Sequence, residues 1–124
     1  MNLRLSIILL VTSTVGLFGC DGKKAWSIEG VWLGQNETEQ DIELTFRPDG
    51  TMKLQVDAQF IEGEYFIESV DSRIYLDTKF GENHSVETIL EFIEENKIRM
   101  EDNEPGKPRP MSFSDASVTF DRKQ

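Results

Sequence analysis

The side chains able to do chemistry are few and scattered. His84 is the chain's one histidine and sits in Gly81-Glu82-Asn83-His84-Ser85, a polar stretch with turn character. General acid–base work needs a partnered group within hydrogen-bond reach, and this setting reads as a solvated loop. Glu62 and Glu64 are one of many close carboxylate pairs, so they do not single out the acid and base of a glycosidase. Asp102-Asn103-Glu104 lacks the spaced oxygen ligands of a dedicated calcium loop. One histidine and one cysteine do not make a zinc site. No catalytic residue, metal or cofactor is expected, and the chain does not read as an enzyme.

Cys20 is the residue whose position does imply chemistry. It closes Leu17-Phe18-Gly19-Cys20 and is the single cysteine, which argues against a disulfide framework. Ahead of it, Met1–Arg4 form a short positive region, and Leu5–Val11 are apolar apart from Ser6. These are the parts of a secretory signal peptide. Leu5–Phe18 is too short for a transmembrane helix, which needs about 20 apolar residues. The segment resembles the lipobox of bacterial lipoproteins, with Leu17 and Gly19 at the matching positions and Phe18 bulkier than usual. The resemblance implies diacylglycerol transfer to Cys20, cleavage before it, and acylation, commonly with palmitate, of the new amino group. Asp21 resembles the inner-membrane retention signal of enterobacterial lipoproteins, which favours the inner membrane over the outer. Residues 1–19 are thus expected to be signal peptide, 20–27 the lipidated cysteine and tether, and 28–124 the folded domain. The protein is expected to face the periplasm or cell exterior on a membrane-held lipid.

Removing residues 1–19 leaves 105 of the 124 residues, enough for one domain with one core. The loss of Arg4 moves the formal charge from −10 to −11. An acidic surface argues against nucleic acid, whose phosphates demand basic side chains. It also disfavours broad contact with an anionic membrane beyond the tether, and it suits solubility or a cationic partner.

The domain has strand periodicity throughout. Ile28–Leu33 and Ile42–Phe46 are strand candidates, followed by Arg47-Pro48-Asp49-Gly50, a strong turn. Met52, Leu54, Val56 and Ala58 alternate with polar residues, as do Ile61, Gly63, Tyr65 and Ile67. Arg73–Thr78 follows, with Ile74 and Leu76 inward; Lys97–Glu101 and Ser117–Arg122 complete the set. Residues 85–94 satisfy a helical stripe and a strand face equally, and their β-branched content favours strand. Glu101–Pro110 carries three prolines and reads as a surface loop. Eight short strands joined mostly by tight turns predict an all-β, up-and-down antiparallel barrel.

Gly30-Val31-Trp32 on the first strand and Phe120-Asp121-Arg122 on the last resemble the Gly-x-Trp signature and closing Arg of the lipocalin superfamily. The block Leu44–Thr51, with Gly63-Glu64-Tyr65, is similar to small bacterial lipocalin-like lipoproteins. Gly30, Trp32 and Arg122 are then barrel-signature residues, with Arg122 expected over the Trp32 face. A barrel of eight strands holds packed side chains or one small ligand, and the sequence leaves both open. The side chains expected to fill it include Met52, Leu54, Tyr65, Ile67, Leu76, Leu90, Ile98 and Phe120. On the outside, alternation aligns Phe66, Tyr75, Ile89 and Ile93 into an apolar stripe rimmed by glutamates, a candidate partner patch. The expected function is non-enzymatic binding of a small apolar ligand or an envelope protein. An inhibitor or immunity protein against a lysozyme-like or toxin enzyme is the alternative, although the Ser-Gly-x-x-Tyr pattern of c-type lysozyme inhibitors is absent. The oligomeric state is not legible.

Overall fold

The computed structural model describes residues 26–70 and 73–124; Cys20, Asp21 and the segment expected to be a signal peptide lie outside them. The strands are β1 (Gly30–Gln35), β2 (Asp41–Phe46), β3 (Thr51–Val56), β4 (Gln59–Val70), β5 (Arg73–Phe80), β6 (His84–Glu94), β7 (Lys97–Glu101) and β8 (Ser117–Arg122). Each pairs antiparallel with the next, and β8 closes on β1 through Trp32↔Arg122, Leu33↔Asp121 and Gly34↔Phe120. The molecule is therefore a closed eight-stranded up-and-down β-barrel, as the alternation predicts. The ambiguous segment is strand β6: its β-branched residues pair in register with β5, from Ile74↔Leu90 to Phe80↔His84.

Up-and-down topology sorts the connections into two ends. At the near end lie the incoming chain at Trp26, the turns after β2, β4 and β6, and the end of β8. At the far end lie the β1–β2, β3–β4 and β5–β6 turns and the start of the β7–β8 loop. The turn after β2 behaves as its residues demand. Gly50 takes φ 89°, its N–H donates to Arg47 O at 3.1 Å, and Asp49 Oδ1 accepts from Thr51 N and Oγ1 at 3.0 and 2.7 Å. Tyr65 Oη donates to Arg47 O at 2.7 Å, tying the turn to the core.

The near end is plugged. Trp32 is fully buried, its Nε1 donates to Ile28 O at 2.8 Å, and the Arg122 guanidinium lies 4.2 Å from its ring centroid. Arg122 also donates to Glu29 O at 2.6 Å, Ser27 O at 2.8 Å and Asn96 Oδ1 at 2.9 Å. It thus ties the incoming chain, the β6–β7 turn and the last strand across one aromatic face. Gly30 is required beneath it: φ is 125°, and a Cβ there would sit 2.9 Å from Arg122 Nη1.

Strand β4 turns the barrel's corner. Its first half pairs with β3 (Val56↔Gln59 to Thr51↔Glu64) and its second half with β5 (Glu64↔Lys79 to Val70↔Arg73). The switch falls at Gly63, where any Cβ would collide with Lys79 O at 2.3 Å. Each half of β4 consequently overhangs one neighbour. This corrects one expectation: Ile67 has inward parity but is 49% exposed, and Ile61 is likewise exposed, because β4 runs past the strands that would cover them.

Arg122→Ala is expected to lower unfolding free energy by about 2–4 kcal/mol, from the lost cation–π contact and charge-assisted hydrogen bonds. Arg122→Lys should recover less than half, lacking the planar fork; full recovery in chemical denaturation would mean that charge alone matters. The hydroxyl and N–H of Thr51 hold the Asp49 carboxyl below its ordinary 3.8. A depressed folded-state pKa stabilises the turn above the unfolded value, and that support is lost as pH falls through the depressed one. Thr51→Val should raise the Asp49 midpoint in an NMR titration.

Candidate functional site

The barrel interior is filled at one end only. Trp32, Phe46 and Tyr65 are large and buried toward the near half, where the Phe46 and Tyr65 rings stand edge to face at 5.0 Å. Beyond them the inward side chains leave a cavity of about 190 Å³. Leu44, Phe46, Met52, Leu76 and Phe120 form its buried floor. Ile42, Leu54, Phe80, Val86, Met100 and Val118, all half-buried, form walls that rise toward the far end. The inward alternation of Met52 and Leu54 on β3, Leu76 and Thr78 on β5, and Val86 and Thr88 on β6 places these residues in the lining. The interior thus answers both alternatives left open by the sequence: packed below, hollow above.

Polar groups are sparse in the wall. Thr78 and Thr88 are the buried hydroxyls, and Thr88 Oγ1 donates to Glu101 O. Asp102 and Asn103 stand where the wall meets the β7–β8 loop. The far-end connections carry exposed Glu37, Glu39, Asp41, Asp57, Glu82 and Glu104. Lys107 and Arg109 are the cations of the nearby loop, and Arg109 is engaged with Asp77 at 2.6 Å. An apolar pocket therefore opens beneath an acidic rim.

Of the candidate chemistry-bearing residues, Asp102 and Asn103 border this cavity and the others lie elsewhere. His84 is exposed at the start of β6. Glu62 and Glu64 are exposed, outward residues of β4, and Glu62 lies 3.5 Å from Arg47. Asn103 donates its side-chain amide to Glu87 O at 2.7 Å and Pro108 O at 3.1 Å, so it shapes the loop. Among the described residues, no three His, Cys, Asp or Glu side chains group to hold a metal ion. Gly30, Trp32 and Arg122 do come together, in the near-end plug.

The outer stripe is corrected. Phe66 and Ile93 are exposed, but Ile89 is fully buried and Tyr75 is half-buried. Residues 102–116 form a strap laid along the outside of β5–β7. Arg109 stacks over Tyr75 at 4.6 Å and donates to Thr88 O at 2.8 Å, while Gly106 N–H donates to Ser85 O at 3.3 Å. Phe113 packs under Arg99 at 4.2 Å, and Ser114 donates through N and Oγ to Glu101 at 2.8 and 2.5 Å. The physical reason is the barrel's stagger: β7 pairs with β6 only at Leu90 and beyond, leaving the outer edge of residues 84–89 to be covered. Arg73 and Arg109, separated in sequence from the aromatics they cover, gave no local signal of this arrangement.

Comparison with family models, with curated proteins and with solved structures found no significant match for this chain.

Because Ile89 is a covered core position, Ile89→Ser should cost about 2–5 kcal/mol of stability, as for other truncations of buried aliphatic side chains. Phe66→Ser, on the exposed part of the former stripe, should stay within about 0.5 kcal/mol. Equal thermal midpoints for these variants would contradict the strap's role.

Proposed function

We propose that this protein is a lipid-anchored envelope protein, held through Cys20 and related to the lipocalin-like lipoproteins, whose barrel binds a small apolar ligand without transforming it. One observation carries the reading: an apolar cavity of about 190 Å³ whose walls reach the end opposite the incoming chain. An apolar cavity of about 150 Å³ suffices for a benzene ring. This one therefore suits a single ring or a short alkyl chain, and is small beside the 300–1,000 Å³ of common ligand pockets. Burying six methylenes contributes about 5 kcal/mol before association costs. Affinity is then in the region of 0.2 mM or weaker unless the head group adds to it.

The acidic rim selects that head group. A carboxylate at the mouth meets Glu37, Glu39, Asp41 and Glu82, whereas an ammonium or a neutral polar group does not suffer their repulsion. The preferred ligand is a short cationic or neutral amphiphile. The same exposed rim supports a second reading, a cationic envelope protein such as a lysozyme-like enzyme docked across the far-end loops.

Methyl and amide NMR separates these readings, with hexylammonium, hexanol and hexanoate as probes at millimolar concentration. Shifts of the Met52, Met100 and Val118 methyls by the first two, and several-fold weaker binding of hexanoate, are expected. Leu54→Trp should abolish them by filling the cavity. Silence of those methyls toward all three probes would remove the ligand reading. A cationic lysozyme that moves the amides of residues 36–41 but leaves the cavity methyls unchanged would favour the second.

A further inference from the structure

The near end carries a second apolar feature, distinct from the cavity and unused by ligand binding. Trp26 is 40% exposed and stands edge-on to Phe92 at 5.7 Å, capping the plug from outside. Ile93, at the irregularity between Phe92 and Glu94, is 47% exposed. On β4, Phe66 and Ile67 are 58% and 49% exposed, in the stretch that overhangs β3 beyond Glu64. Phe66 and Ile67 of β4 and Ile93 of β6 flank β5 toward the near end, and Trp26 lies against Phe92 of β6, so the exposed side chains are spread in an arc along this side of the barrel.

Position and charge both identify what this arc meets. The chain enters the barrel at this end, through Trp26, and the segment ahead of it holds Cys20 six positions away with Lys23 and Lys24 between. Six extended residues reach at most about 20 Å. The charges here are of mixed sign: Arg47 with Asp49, Glu68 with Arg73, Glu94, Glu95 and Asp121 with Lys97 and Lys123, and Glu29 near Arg122, whereas the far-end connections are mostly acidic. The molecule's acidic excess therefore does not repel this end from an anionic surface as it would the other.

We infer that the near-end arc of Trp26, Phe66, Ile67 and Ile93 is a membrane-docking rim, seated in the headgroup–acyl boundary of the bilayer that carries the anchor. This rests on the proposed lipid at Cys20. Exposed apolar side chains beside a lipid chain add a second attachment, and immersion by about 5–10 Å is the usual depth for such contacts. Docking this rim points the cavity mouth away from the bilayer, because the two lie at opposite ends of the barrel. The barrel would stand upright on the membrane instead of swinging on its tether.

The test uses the acylated protein, beginning at Cys20, in vesicles of phosphatidylethanolamine and phosphatidylglycerol with brominated acyl chains. Trp26 and Trp32 are the two tryptophans, and Trp32 is buried in the plug. Bromine should quench roughly half or more of the Trp26 emission, and Trp26→Phe should leave only the little-quenched Trp32 signal. Phe66→Glu with Ile67→Glu should restore most of the Trp26 emission while flotation with the vesicles persists through the lipid. Absence of quenching in protein shown by mass to be acylated overturns the docking rim and leaves the anchor standing. Quenching undiminished in the doubly substituted variant also overturns it. An unmodified Cys20 by mass removes the anchor, and the rim's docking with it.

Discussion

The stacking of Arg122 on Trp32 is the constraint on which the barrel's two ends depend. From the final strand, the guanidinium reaches both the incoming chain and the β6–β7 turn, through Ser27 O, Glu29 O and Asn96 Oδ1. Ser27 and Glu29 lie far in sequence from Asn96, so their convergence on Arg122 fastens the end at which β8 pairs with β1. With the near end filled by a tryptophan and its cation, the bulkier packing of Phe46 and Tyr65 follows just above it. The residual space is thereby displaced toward the far end, where the lining is mostly apolar, with Phe80 and two threonines in the wall.

Stagger between strands explains the rest of the surface. A closed barrel requires its strands to shift in register, and here the shift leaves β4 and β6 with ends their neighbours do not reach. Exposed strand edges invite unwanted pairing. On β6 the strap of residues 102–116 covers the vacancy through Asn103, Gly106 and Arg109. On β4 no equivalent segment lies over Phe66 and Ile67 among the described residues. The same geometric rule thus buries Ile89 and exposes Ile67, against the parity-based expectation in both cases.

Much of the fold was legible because strand alternation is local. Each of the eight strands shows a period of two between turn residues, and Arg47-Pro48-Asp49-Gly50 forms a turn by its own side chains. Gly30, Trp32 and Arg122 were legible as a set through a resemblance, and their contact follows from the β1–β8 pairing. The candidate site was less legible. Alternation lists the inward side chains without giving the space between them, so a packed and a hollow interior read alike. It also says nothing of what an outward side chain meets, which is why Tyr75 and Ile89 read as a surface stripe.

The sequence by itself determined the all-β class, the strand count and the turn after β2. The proposal of a lipid at Cys20 rests on the sequence alone, since the resemblance behind it is to a linear motif. Tertiary structure alone decided that the interior holds a cavity, that this cavity opens away from the incoming chain, and that the Pro-rich loop lies as a strap over β5–β7. The reason is range. Periodicity and turn chemistry act over a few residues, whereas volumes, covered faces and the two ends of a barrel arise from contacts between residues dozens of positions apart.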